Sequence, residues 1–392
     1  MNVSSPHTTW RGRRALELSN GVVQAMILPG GCALAAWRFA EGHGPSQTNV
    51  LWESPWATHD PKTLDDVTLE HTYGDLASGR FLDSFTGHAL CLDGFGPPSD
   101  TDAAAGDSLH GEASTVMWTV KENSTSSITL TADLPLAHLH VQRHLSLLPG
   151  ESVLRAEEHV TNLASTSRQL HWMQHATIGA PLFRNGNARI TASVHNGITW
   201  PLDYEGCNLL ERDATFSWPC APRADGGTVD LREVFTREGS GFVAALHQHT
   251  GREHGFIAAC HAETRLAMGY LFSAALFPWV TFWEENRARR DAPWCGRVQA
   301  RGLEFGTTPL PLGNEAVDAH GPVLGSPTSL SIGPHQIQRA PWLLFLAEIP
   351  HTWSKIEDVR AEAGEIVLIH GRETVRLKAS GAADFLQTVR CA

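Results

Sequence analysis

"ALELSNGVVQAMIL", residues 15–28, decides the class of fold. Two runs with apolar residues at every second position flank Asn20-Gly21. That dipeptide marks a hairpin because its residues tolerate the positive φ that a tight turn between twisted strands requires. The same period of two continues down the chain and predicts strands over 33–39, 115–121, 126–134, 138–148, 152–162, 168–178 and 188–194. Further strands are predicted over 242–247, 255–260, 265–272, 277–283, 297–305, 342–348, 365–370 and 373–379. Helical signals are few. Asp60-Pro61 predicts a helix over 61–70, with aspartate as cap and proline in the first turn. Ser354 to Glu357 reads as a capping box, with Gly364 as the stop. Many strands with long connections rich in glycine and proline predict an all-β fold of stacked antiparallel sheets. One domain is expected over 10–390, with loop insertions around 41–107 and 195–240.

Composition narrows the partners. The chain has 392 residues, 18% of them charged, and a net charge of −12. No Lys/Arg run stands out, which argues against nucleic acid or an anionic membrane surface as partner. The first residues lack the apolar core of a secretory signal, and no stretch approaches the ~18 apolar residues of a membrane span. The seven cysteines are scattered, odd in number and without a CxxC pair, which suits a reducing cytoplasm rather than a disulfide framework. Thirteen tryptophans and 21 histidines suit a wet pocket lined with aromatic rings.

Four stretches carry candidate chemistry. In "ARGLEFGTTPLP" (300–311), Glu304 lies between Leu303 and Phe305 of a buried strand, and shares its face with Gly302 and Gly306. Glycine within a strand often marks close approach of a ligand or of another backbone, so open space around the carboxylate is expected. A structural pairing of Glu304 with a buried arginine is the alternative. In "RQLHWMQHATIGAPLF" (168–183), His171, Met173, His175 and Thr177 share one face, and Trp172, Gln174 and Ala176 the other. In "SLHGEAS" (108–114), His110-Gly111 lets an imidazole project where the backbone turns sharply. In "LFPWVTFWEENRARRDAPWCG" (276–296), Trp279, Trp283 and Trp294 stand among acids and arginines, an arrangement that suits the C–H face and hydroxyl edge of a sugar, or else a plain core.

Taken in order, the Asn-Gly hairpin, "LHG", "WMQHATIGAPLF", the Trp-rich strand and "GLEFGTTPLP" resemble the aldose 1-epimerase (galactose mutarotase-like) superfamily. The resemblance implies a β-supersandwich with its site in a shallow cleft on one large sheet, and interconversion of the anomers of a free or modified hexose. It implies that Glu304 is the base, His175 the acid and His110 a second histidine holding the sugar. Arg80, in "SGRFLDSF", falls where the superfamily often places a substrate-binding arginine. Trp172, Trp283 and Trp294 complete the expected substrate-binding set. No metal or cofactor is implied, and the implied partner is a small carbohydrate. The aspartate that often binds sugar hydroxyls has no clear counterpart; Asp203 and Asp230 are the nominees. Partial burial is expected to raise the Glu304 pKa, and a nearby charged histidine to lower it again.

Three other readings compete. "HLHVQRH" puts His138, His140 and His144 on one strand face, as a metal site would, with His247, His249, His254 and His261 further on. A non-catalytic sugar-binding module would keep the tryptophans without needing a Glu/His pair. A hydrolase or lyase would want a second carboxylate, for which Glu284 or Glu285 could be proposed.

Overall fold

The structure is a computed structural model that describes residues 7–183 and 186–387. Among these residues two large antiparallel sheets, of thirteen and eight strands, dominate. The predicted hairpin forms from Arg13–Ser19 and Val23–Leu28, with Leu16 opposite Ile27 and Ser19 opposite Gln24. Its turn is wider than the dipeptide suggests. Only Gly21 takes a positive φ, while the Asn20 side chain accepts the N–H groups of Val22 and Val23. The Asn20 amide also donates to the carbonyls of Leu148 and Glu151, which ties this hairpin to the one turning at Pro149-Gly150.

The middle of the thirteen-stranded sheet runs, in spatial order, His88–Leu92, Trp172–Ile178, Gln299–Gly306, Trp279–Asn286, Ser240–Gln248 and Val194–Thr199. The eight-stranded sheet has Leu266–Ser273, Ile337–Glu348, Val153–Asn162 and Leu139–Leu147 at its centre. Alternation then does the sorting: every second side chain of each sheet enters the shared core. Leu303, Phe305 and Trp172 from one sheet meet Tyr270, Phe272, Trp342 and Leu344 from the other. Phe272 and Phe305 stack across the interface, with ring centroids 4.2 Å apart. A small sheet of Asp358–Ala361, Glu365–His370 and Glu373–Lys378 follows; Ile366 and Leu368 join Phe256, Leu343 and Phe345 of the eight-stranded sheet in a separate apolar cluster.

One polar network is sealed into the inter-sheet core. The Glu158 carboxylate accepts from Arg143 Nε at 2.9 Å, Gln174 Nε2 at 2.7 Å and Trp172 Nε1 at 3.1 Å. Gln174 Oε1 accepts from His88 Nε2 at 2.9 Å, and His88 Nδ1 lies 3.2 Å from the Tyr270 hydroxyl. Burial, and next the Arg143 charge, hold the His88 pKa down to about 3, so its ring is neutral, donating at Nε2 and accepting at Nδ1. Every member finds partners, the condition on which a buried network is tolerated.

Both predicted helices need correction. The first spans Asp66–Tyr73 and not 61–70, because its cap is Asp65, which accepts from Thr68 N–H, while Asp60 is held by Arg13. The Ser354 capping box caps nothing: residues 358–361 are drawn into the ladder with Glu365–His370. The loop-rich stretches are also more structured than expected. Residues 41–107 hold the helices Asp66–Tyr73, Leu76–Leu82 and Asp100–Ala105 and the strand His88–Leu92.

Candidate active site

Gly302, Glu304 and Gly306 lie on the face of the Gln299–Gly306 strand that points away from the core. In the adjoining strand, Gln174 is opposite Phe305 and Thr177 opposite Gly302, which sets His175 across from Glu304. The ladder thus brings together two side chains far apart in sequence, with His175 Nε2 3.6 Å from Glu304 Oε1. On the other flank Trp283 pairs with Gly302, and Val243 with Trp283, continuing the same face. The two glycines differ in function. A Cβ at 302 would fall against the Glu304 carboxylate and 3.2 Å from Trp283 Cβ, so the missing side chain is the room that the carboxylate uses. A Cβ at 306 would strike the Trp172 carbonyl and come within 2.9 Å of Met173 Cα. There the glycine serves close strand approach, and no open space exists.

Glu304 is 1% exposed, and among the described residues the only ion-pairing side chain near it is His175. Burial pushes its carboxyl well above the usual range. Burial likewise holds His175 down to about 4. Between those two values the pair therefore contains one proton for two basic sites, the protonation state of a group able to take a proton at one atom and deliver one at another. The structural ion pair weighed for Glu304 exists at Glu284 instead. Arg301 Nη1 meets Glu284 at 3.0 Å, with the guanidinium between the rings of Phe242 and Phe282. Glu285 accepts from the Tyr204 hydroxyl and from the Ala288 and Arg289 N–H groups. Both carboxylates that a hydrolase would recruit are engaged elsewhere.

His110 enters from the loop side with φ +66, followed by Gly111 at φ +82, so the sharp turn expected from His-Gly is present. The Gly96 N–H donates to His110 Nδ1 at 3.1 Å, and the His110 N–H returns a bond to the Gly96 carbonyl at 2.9 Å. Burial pushes the His110 pKa well down, next aided by the charge on His175. With Nδ1 occupied as an acceptor, the ring is neutral and carries its proton on Nε2. Its centroid lies 5.2 Å from that of His175.

These three residues share a cleft of about 330 Å³ with Trp283, Trp294 and Arg289. The two loop segments supply most of the remaining wall, Phe81, Phe85, Phe95 and Leu109 from one and Trp200 and Leu202 from the other, with Val243 and Pro311 beside them. Arg289 lies over the rings of Tyr204 and Trp294, with its carbon 4.6 and 4.7 Å from their centroids. Its Nε faces Glu205 at 3.3 Å. Arg289 belongs to the stretch singled out at 276–296, but nothing in its spacing separates it from its neighbouring arginines. The aromatic loop residues carried no periodic signal at all.

Two nominated residues lie elsewhere. Trp172 faces the core, fully buried, and donates to Glu158, as the alternation that places His175 on the opposite face requires. Arg80 donates to the Gly106 carbonyl at 2.7 Å and lines a separate cavity with Lys62, Asp66 and Asp83. Neither Asp203 nor Asp230 reaches the cleft: Asp203 holds the 203–208 turn, and Asp230 is clamped by Arg232. His171 interrupts the predicted 168–178 strand, its N–H donating to Asp93. His138 stands in a turn, His140 pairs with Asp133, and His144 meets Thr129. These three do not converge.

No family model matches the chain, and neither does any curated protein. Solved structures do. A "putative aldose 1-epimerase" from Klebsiella pneumoniae is 16% identical, with a TM-score of 0.59 over 87% of this chain and 80% of that one. A galactose mutarotase-like protein from Clostridium acetobutylicum is 14% identical, with a TM-score of 0.55 over 89% and 99%. A galactose mutarotase related enzyme from Lactobacillus acidophilus is 9% identical, with a TM-score of 0.54 over 86% and 98%. The chain has the galactose mutarotase-like fold.

Proposed function

We propose that this chain, built on the galactose mutarotase-like fold, is an aldose 1-epimerase-like isomerase that interconverts the anomers of a reducing sugar. The observation that carries the reading is the Glu304/His175 pair, 3.6 Å apart on adjacent strands, unclaimed by any arginine among the described residues and facing an aromatic cleft. The pair's proton rests on Glu304, whose carboxyl is pushed up while His175 is held down, and passes to His175 as the sugar binds; Glu304, then a carboxylate, takes the proton of the anomeric hydroxyl while the C1–O5 bond breaks and C1 becomes a carbonyl. His175, holding the pair's proton, delivers it to the ring oxygen. Rotation about C1–C2 and the same transfers in reverse close the ring on the other face. His110 Nε2–H donates to a sugar oxygen, and Trp283 and Trp294 offer ring faces to its C–H groups. The reaction as written takes no metal or cofactor.

Positioned acid and base groups contribute about 10²–10⁴-fold each. Freshly dissolved single anomers followed by polarimetry or NMR test the activity. Glu304→Gln is expected to lose about 10²–10⁴-fold in rate while retaining sugar binding. Near wild-type turnover in that variant would remove Glu304 as the base.

A further inference from the structure

The cleft offers many carbon surfaces and few polar partners. Its titratable or charged side chains are His110, His175, Arg289 and Glu304. Of its indoles, the Trp283 N–H already donates to the Tyr204 hydroxyl at 2.8 Å, whereas the Trp200 N–H is buried without an acceptor. In the reaction proposed above, Glu304 and His175 serve the anomeric oxygen and the ring oxygen. His110 and Arg289, both donors, are left for everything else on the ligand, and among the side chains that line the cleft no acceptor remains. A free hexose has a hydroxyl on almost every carbon, and each one desolvated without a partner costs about 1–3 kcal/mol. Two further observations point the same way. Leu202 stands at the cleft with 49% of its surface exposed, an apolar side chain in contact with water until something covers it. At about 330 Å³, the cleft falls in the range of about 300–1,000 Å³ that suits drug-sized ligands, larger than one bare sugar ring.

We infer that the ligand is a reducing sugar whose periphery is partly apolar, deoxygenated or carrying an alkyl, acyl or aryl substituent, which lies against Trp200, Leu202 and Trp294 while the anomeric centre meets Glu304 and His175. The inference rests on the anomerisation reading for its orientation, but not for its ligand chemistry. The test compares D-glucose with its benzylidene acetal across O4 and O6, which leaves the anomeric centre free. Anomerisation and equilibrium binding by tryptophan fluorescence are both measured. The acetal is expected to exceed glucose about tenfold or more in kcat/KM and in affinity, and Leu202→Ser to lower both ratios by about threefold. If glucose is turned over as well as the acetal or better, the isomerase reading stands and the apolar ligand is overturned. If the acetal binds about tenfold tighter but neither sugar is turned over, the ligand class stands and the isomerase reading falls. Failure of both sugars to bind overturns the inference.

Discussion

Glu304 and His175 titrate as a unit, and the directions of their shifts set the working range of pH. Below about 4 a second proton reaches His175, and no basic site remains for the anomeric hydroxyl. Above the raised value of Glu304 the pair's last proton leaves, and none is available for the ring oxygen. The rate is therefore expected to be bell-shaped, with an acid limb near pH 4 and an alkaline limb well above the ordinary carboxylate range. A single alkaline-rising limb near pH 6–7, read from kcat/KM, would assign the base to a solvated histidine instead. Stability carries the same signature. An unfolded chain ionises Glu304 near 4.5 while the folded chain keeps it protonated, so its contribution falls as pH rises from 4.5 towards the folded value. Glu304→Gln removes that loss, and its Tm should exceed the wild-type Tm at about pH 8, with a gap that narrows towards about pH 4. A gap independent of pH would show the carboxyl to be ionised in the fold.

At the scale of the strand, Gly302 and Gly306 make a paired test. Gly302→Ala places a methyl group against the far end of a flexible side chain, so the sheet should form normally while the carboxylate is displaced from His175. A misplacement of about 1 Å can cost about 10²-fold in rate, and that loss with an unchanged Tm is the expected result. Gly306→Ala meets backbone atoms that cannot give way, and should lower Tm before it touches the chemistry. Thermal melts beside turnover assays separate the two; equal effects from both would mean that 302 is no more than a packing position. Period-two alternation made these elements legible, because register follows from burial of one face. It also placed Glu304 on the face opposite Leu303 and Phe305, and His175 on the face opposite Trp172. Alternation could not show that Asp60 is occupied by Arg13, that 358–361 is claimed by a strand partner, or that His171 breaks its strand to serve Asp93. Each of those outcomes is settled by a residue distant in sequence. Trp172 is the opposite lesson: its own position in the alternation already pointed it into the core.

Across the whole molecule, the Arg143–Glu158–Gln174–His88 network joins the two sheets directly behind the strand that carries His175. Breaking a buried pair leaves an uncompensated charge and costs about 3–5 kcal/mol, so Arg143→Met should sharply lower stability in denaturant titration. A change below about 1 kcal/mol would show that the Glu158 carboxylate is not held by Arg143 in this way. His88 adds an acid weakness. Its pKa is depressed from 6.5 to about 3, so as pH falls below 6.5 the unfolded chain gains a proton that the folded chain refuses, at about 1.4 kcal/mol per pH unit. His175, depressed to about 4, acts in the same direction. Stability should fall between about pH 6.5 and 4.5, and His88→Gln should flatten that fall even where it lowers the maximum. None of this network was visible in the sequence, since its members come from four strands with no shared motif. The same holds for the cleft walls: the two loop-rich stretches were legible as insertions, but their aromatic residues become a surface only when both fold over one sheet.

Two groups that exchange a single hydrogen ion with the sugar, and recover it before the ring has closed again, need nothing from the medium. A catalyst of this kind should turn over at the same speed in dilute and concentrated buffer. The unaided opening of a reducing sugar, by contrast, quickens as buffer acids and bases are added.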